Sequence, residues 1–193
     1  DQFRSSLKDL YTGQKISITP LAFIMRAMVN ALKAYPSFNA SIDSEKGKVT
    51  YKKYFHIGVA VDTPHGLMVP KIRDVDQLEI KEISQKLRTV SKLCRELKID
   101  KKEFFGGSMT ISSLGGIGGT FFTPIINPPE LSILGVGKSY DKVIKKDGQI
   151  LTRKILPISL SYDHRFIDGA EGARFCVHLS QSLGKEFAFK LAV

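Results

Sequence analysis

The segment Leu21-Ala22-Phe23-Ile24-Met25-Arg26-Ala27-Met28-Val29-Asn30-Ala31-Leu32 is apolar nearly all the way round a helical wheel. A helix of that kind must be covered on every side, so it predicts a central element with the rest of the chain layered about it. Thr19-Pro20 supplies the start, an N-cap hydroxyl followed by proline at the first helical position. Tyr35-Pro36 supplies the stop, because a residue before proline is pushed out of helical geometry. The run is too short to cross a bilayer and is interrupted by Arg26 and Asn30.

Around it the pattern alternates between strands and helices. Phe3, Leu7, Leu10 and Tyr11 form an apolar stripe at helical spacing that ends at Gly13. Ala40-Ser41-Ile42 and Val49-Thr50-Tyr51 flank a turn at Glu45 to Lys48, and a strand is expected from Tyr54 to Thr63. A Pro64-His65-Gly66 turn leads to Leu67-Met68-Val69-Pro70. Ile80, Ile83, Leu87, Val90, Leu93 and Leu97 step by three and four, giving an amphipathic helix with a basic outer face. Leu131 to Gly137 reads as a buried strand, and Asp147-Gly148 as the turn of a hairpin between Val143-Ile144 and Ile150-Leu151. A last helix follows Gly169 with Ala173, Cys176, Val177 and Ser180 as its narrow face, and ends at Gly184 before an apolar tail, Phe187 to Val193. No repeat or linker divides the chain of 193 residues, so the reading is one domain: an α/β fold of the α+β type, a mixed sheet packed by helices on one side.

The formal net charge of +10 suggests an anionic partner, whether nucleic acid, membrane headgroups or a phosphate-bearing small molecule; the basic residues of the amphipathic helix read as a solvated face, since no aromatic residues interleave for base stacking. Neither nucleic acid nor membrane is an expected partner. Cys94 and Cys176 stand alone and read as small core residues in a reducing compartment. The decoy Ser132-Ile133-Leu134-Gly135-Val136-Gly137-Lys138-Ser139 ends like a phosphate-binding loop, yet serine stands where the first glycine is required. His56 and His65 read as structural or surface residues.

Chemistry concentrates in two stretches. In the first, a strand with alternating Ile158, Leu160 and Tyr162 breaks into Asp163-His164-Arg165 and closes on Asp168-Gly169. A histidine just past a strand end is held by rigid backbone and can serve as a general base near neutral pH. Two competing readings remain: Asp163, Arg165 and Asp168 as a structural ion-pair knot, and His164 with Asp168 as metal ligands. The metal reading lacks a further ligand at suitable spacing, and no metal is expected. In the second stretch, Gly107 to Phe122, a strand runs into a glycine-rich loop, where backbone can approach a ligand closely.

Asp163-His164-Arg165-Phe166-Ile167-Asp168-Gly169-Ala170 resembles the signature of the acyltransferase component of 2-oxo acid dehydrogenase complexes, and its His-x-x-x-Asp-Gly core is similar to that of chloramphenicol acetyltransferase. His56 to Thr63 with Gly66 to Pro70, and Thr123-Pro124-Ile125-Ile126-Asn127-Pro128-Pro129-Glu130, are also typical of that family. The resemblance covers essentially all of residues 1–193 and implies a chloramphenicol-acetyltransferase-like fold, without the family's opening strand. It implies the catalytic domain of a longer chain, with the lipoyl domain that carries lipoamide lying outside this sequence.

The reaction the resemblance implies is acyl transfer between the thiols of dihydrolipoamide and coenzyme A, with pyruvate dehydrogenase acetyltransferases the nearest group. Branched-chain and succinyl transferases are the alternatives, the latter tending to carry threonine at the Ser112 position. A stand-alone antibiotic-modifying acetyltransferase and a non-catalytic scaffold are further alternatives. A thiol near pKa 8.5 is mostly protonated at neutral pH, so a base, His164, is needed to make the thiolate. The tetrahedral intermediate's oxyanion needs a donor, which the family pattern places at Ser112, with Ser113 as the less favoured choice. Asp168 is assigned an orienting or salt-bridging role near Arg165, and Lys138 and Ser139 are candidate coenzyme A contacts. The resemblance further implies homotrimers gathered into a core of about 24 chains, with 2-oxo acid dehydrogenase and dihydrolipoamide dehydrogenase as partners. It places the chain in the bacterial cytoplasm, or in the mitochondrial matrix if eukaryotic.

Overall fold

The computed structural model describes residues 2–7, 13 and 16–184. Of the expected first stripe, Leu7 packs against the core after a short helix α1 (Gln2–Ser6); Leu10, Tyr11 and the side chain of Phe3 lie outside the described residues, as does the tail from Phe187 to Val193. The apolar helix is central, as its composition requires. In α2 (Pro20–Ala34), Thr19 accepts from the Leu21 N–H, and Ala22, Met25, Ala27, Met28, Val29 and Ala31 are fully buried. Even Arg26 is buried, donating to the carbonyls of Val75 and Asp76 at 3.2 and 2.6 Å. A buried charge needs such donors' partners, or the burial would be prohibitive.

Chain order is β1 (Ala40–Asp43), β2 (Lys48–Tyr51), β3 (Ile57–Val59), β4 (Val61–Thr63), β5 (Gly66–Met68), β6 (Lys71–Ile72), α3 (Ile80–Arg95), β7 (Met109–Ser113), β8 (Ser132–Val136), β9 (Tyr140–Lys146), β10 (Gln149–Ile155), β11 (Ile158–Tyr162) and α4 (Gly169–Ser182). The main sheet has five strands in the order β11-β8-β7-β3-β6. Its three inner strands are parallel, and β11 and β6 close the two edges antiparallel. The remaining strands form three hairpins: β1–β2, β4–β5 and β9–β10. The last turns at Asp147-Gly148 with both residues at positive φ, as an Asp-Gly hairpin turn demands.

Two expectations are corrected. The strand expected from Tyr54 to Thr63 divides at Ala60: β3 stays in the main sheet while β4 leaves to pair with β5. Ala60 still donates to the Ile111 carbonyl, so the break is a change of partner rather than a loop. The narrow face of α4 is also different. Its buried residues are Gly172, Phe175, Leu179 and Ser182, while Ala173 and Ser180 are exposed and Val177 is 55% exposed. Phe175 and Leu179 carry more apolar area than the small residues, and Phe175 stacks on Phe38 at 4.3 Å between ring centres.

Strand alternation gives the sheet two unlike faces. Ile57, Val59, Met109, Ile111 and Leu134 join one core cluster with residues of α2, α3 and α4. The opposite face presents Gly58, Thr110, Ser112, Ile133 and Gly135, and the chain around Phe122 to Glu130 lies over it. Within this second layer, Lys71 and Glu130 form an ion pair at 2.5 Å with both side chains 1% exposed. Thr110 donates to the other Glu130 oxygen at 2.6 Å. Gly107 and Gly58 make the room: a Cβ at Gly107 would collide with Glu130 Oε1, and one at Gly58 with Thr110 Oγ1.

Gly107→Ala should therefore overpack this layer and cost about 1–3 kcal/mol. A urea titration should show a lower midpoint at an unchanged slope, and an unshifted midpoint would contradict the packing described.

Candidate active site

The turn after β11 is pinned at both ends. Asp163 extends the ladder by donating its N–H to the Leu131 carbonyl at 2.8 Å. Its carboxylate accepts from the Arg165 backbone N–H at 3.0 Å and from the guanidinium at 2.9 and 2.6 Å. Those bonds from Arg165 hold the Asp163 carboxyl below the usual carboxylate range. Arg165 reaches on to the Ser44 hydroxyl in the β1–β2 turn at 3.3 Å. Ile167 is fully buried behind the turn. Between these anchors the His164 side chain is exposed, its ring 5.6 Å from that of Tyr162. Tyr162 in turn lies against Gly172, where a Cβ would touch its ring.

Asp168 is not part of the knot. The expectation that it salt-bridges near Arg165 is corrected: it is the N-cap of α4, its carboxylate accepting from the Glu171 N–H at 2.7 Å. Arg165 is already taken by Asp163. The structural-knot reading thus holds for Asp163 and Arg165, while Asp168 starts the helix that follows the histidine turn. Among the described residues no group of three or more His, Cys, Asp or Glu side chains is placed to hold a metal ion.

Ser112 lies half-buried on β7, on the sheet face away from the helices. It stands opposite Gly135 of β8, which stands opposite Ser159 of β11. The glycine-rich loop follows, and the carbonyl of Gly119, a residue at φ 83°, accepts from the Lys138 N–H at 2.8 Å. Lys138 and Ser139 are therefore at the Ser112 end of the sheet, both exposed. A cleft of about 250 Å³ lined by Phe121, Phe122, Thr123, Ser159, Leu160 and Ser161 continues the row to which Ser112 belongs.

The structure does not bring His164 and Ser112 together. Because β11 runs antiparallel to β7, the chain moves away from the Ser112 level as it goes from Ser159 to His164. Four residues of extended rise from Ser159 to Asp163, one more to His164, and two strand spacings put them more than about 15 Å apart. One reacting atom cannot be within about 3 Å of both.

His56 and His65 occupy a structural and a surface place respectively. His56, just before β3, stacks on Tyr54 and accepts from the Asp74 N–H through Nδ1 at 3.0 Å, and burial lowers its pKa. His65 sits exposed in the β4–β5 turn, its N–H donated to Thr63 Oγ1. Sequence reading did not identify the buried Lys71–Glu130–Thr110 network. Its only signal is a lysine between Pro70 and Ile72 and a glutamate directly before a wholly apolar-flanked strand, both unlikely places for an unpaired charge.

Comparison with known proteins fits this architecture. Residues 1–188 match the family described as 2-oxoacid dehydrogenases acyltransferase (catalytic domain). The chain belongs to that family. A Cupriavidus necator relative, the dihydrolipoyllysine-residue acetyltransferase component of pyruvate dehydrogenase complex, is 49% identical over 95% of this chain and 33% of its own length. The chain thus spans about a third of that relative. Two solved structures superpose with TM-score 0.86 at 42% identity, covering 92% of this chain and 72% of each of theirs. One is the cubic core of the pyruvate dehydrogenase multienzyme complex. The other is Azotobacter vinelandii dihydrolipoamide acetyltransferase, in a study of a serine, a histidine and an asparagine in its catalytic mechanism. Chloramphenicol acetyltransferase shares the fold at 17% identity, with TM-score 0.56 over 85% of this chain and 77% of its own. The expected fold class is therefore correct for this member of the acyltransferase family.

Two outcomes follow for the histidine turn. Asp168→Ala should cost about 1 kcal/mol by removing the α4 cap, whereas Asp168→Asn should keep it, as thermal melts at pH 7 would show. The Asp163–Arg165 fork contributes stability above the unfolded carboxyl's pKa, and that contribution is lost as pH falls through the lower folded value. Arg165→Met should therefore lower the melting temperature at pH 7 and narrow its difference from wild type in strong acid. An equal difference at both pH values would contradict the pairing.

Proposed function

We propose that this domain transfers an acyl group, acetyl first among the candidates, between dihydrolipoamide and coenzyme A, using His164 of one chain and Ser112 of a second copy. The observation that carries the shared site is the placement of the two residues at opposite ends of one sheet, within one chain too far apart to act together. The family membership and the acetyltransferase names of its relatives support the reaction. In the Azotobacter protein the serine and histidine under study are 52 positions apart and the asparagine four further on, the same separations as Ser112, His164 and Asp168 here. Asp168 thus stands where that protein has asparagine, and both residues are good helix N-caps.

In this reading His164 takes the proton from the attacking thiol, since the thiolate is the nucleophile. The new C–S bond forms as the thioester carbonyl becomes an oxyanion, to which the Ser112 hydroxyl donates. Collapse breaks the old C–S bond, and the imidazolium returns its proton to the departing sulfur. Lys138 and Ser139, exposed beside the glycine-rich loop, are suited to the phosphates of coenzyme A. Lipoamide arrives on a lipoyl domain, which this reading places outside residues 1–193.

Apolar exposure in the single chain supports assembly: Ile117, Phe121 and Ile125 are 73, 67 and 88% exposed near the Ser112 end. Exposed apolar groups of that extent mark an interaction surface. A cyclic trimer would give each histidine one neighbour's serine through three equivalent heterologous contacts. Such trimers would build a larger core, of about 24 chains in a cube, serving the 2-oxo acid dehydrogenase and dihydrolipoamide dehydrogenase components. Two unpaired cysteines and thiol substrates suit a reducing compartment, the bacterial cytoplasm or the mitochondrial matrix.

Coexpressing His164→Ala with Ser112→Ala tests the shared site. Each single variant should lose roughly 10²–10³ in kcat with dihydrolipoamide and acetyl coenzyme A. Random mixing should restore an intact pair at about a quarter of the sites, because each site draws from two chains. Mixed oligomers that stay inactive, with mixing verified by native mass spectrometry, would rule it out.

A further inference from the structure

We infer that Glu130, tied to Lys71 and Thr110, is a positioning residue that sets where the Ser112 hydroxyl points; the inference rests on the oxyanion-donor reading of Ser112 above. Thr110 and Ser112 are two residues apart on β7, so their side chains share the face away from the helices. Glu130 grips that face directly next to Ser112. One carboxylate oxygen accepts from Thr110 Oγ1 at 2.6 Å, and the other accepts from Lys71 Nζ at 2.5 Å and from Asn127 Nδ2 at 3.4 Å. Lys71 is on edge strand β6 and Glu130 leads into β8, whose Gly135 stands beside Ser112. A single carboxylate therefore ties the strand that carries Ser112 to edge strand β6 and to the loop that leads into β8.

Stability alone does not account for this arrangement. Both charges are 1% exposed, and taking them out of water costs as much as their attraction returns, so an apolar pair of similar volume would serve the core equally well. What the ion pair supplies is direction. Three donors converge on one carboxylate with little freedom to slide, and Gly58 and Gly107 are small enough to let them meet. An oxyanion donor needs that constraint, because an error of about 0.5 Å in its position is enough to weaken the transition-state bond. Glu130 touches no substrate in this reading and acts through β7.

Thr110→Val removes the hydroxyl donated to Glu130 at nearly constant volume. It should lower kcat about 10-fold while the KM for acetyl coenzyme A stays within about 2-fold, and Thr110→Ser should recover most of the loss. In a Ser112→Ala background the same Thr110→Val change should have no further effect on kcat, since the group it positions is gone. Glu130→Gln combined with Lys71→Met removes the lock without leaving a lone buried charge, and should reproduce both results if Thr110→Val does not fold. A normal kcat in folded Thr110→Val, with only the melting temperature lowered, would overturn the inference. So would an equal fold-loss with and without Ser112. A normal kcat in Ser112→Ala alone would instead dismiss the donor reading itself, a result obtained before any Thr110 variant is made.

Discussion

Strand β8 pairs with β7 on one side and β11 on the other, in opposite senses. The positions of the two candidate residues, Ser112 and His164, follow from that pairing. A parallel neighbour sends Ser113 and its glycine-rich loop out of one end of the sheet. An antiparallel neighbour sends Asp163 and His164 out of the other. Register is fixed by the buried face, since a one-residue slip would turn Ile111, Leu134 and their neighbours to the wrong side. The separation of the two residues is thus built into the packing of the core and is not a loop conformation that could relax.

The two faces of the sheet divide the labour. The helix face is apolar and closes around α2, which gives the sheet a rigid back. The second face is made of small and polar residues and is covered by the proline-rich chain around Phe122 to Glu130. Such a face lacks the area to fix geometry by hydrophobic contact alone. It uses directional bonds to the buried Glu130 carboxylate, and close backbone contacts such as Gly137 against Thr120, where a Cβ could not fit. The histidine turn uses a similar device on a smaller scale, with the Asp163–Arg165 fork before and after the imidazole and the Asp168 cap beyond it.

Much of this could be read in the sequence because it is local. The all-round apolar helix, the Asp147-Gly148 hairpin and the strand-to-helix break at Asp163 to Gly169 each follow from neighbouring residues. What could not be read is non-local or depends on a choice between similar stripes. The buried face of α4 is not legible locally because Ala173, Cys176 and Ser180 have the same period as Gly172, Phe175 and Leu179, and packing against Tyr35, Phe38 and Tyr162 decides which stripe is buried. Asp163 and Asp168 lie two and three positions from Arg165, and the turn geometry gives the guanidinium to Asp163. Glu130 and Lys71 are 59 positions apart, so nothing local announces their meeting.

The proposed division of a thioester site between two chains would also address a chemical hazard. A thioester held beside a base and an oxyanion donor can be hydrolysed if water reaches the carbonyl. Many enzymes exclude water by closing a lid, which makes opening and closing part of each turnover. A boundary between two rigid sheets needs no such movement. In the proposed assembly one wall would carry Ile117, Phe121 and Ile125, all strongly exposed in the single chain, and the other would carry Tyr162 with the Tyr51–Phe166 ring pair beside the histidine turn. Burying those side chains would drive association and dry the reaction path in the same step. In the proposed assembly, the separation that leaves each chain with half a site would also keep water from the acyl group.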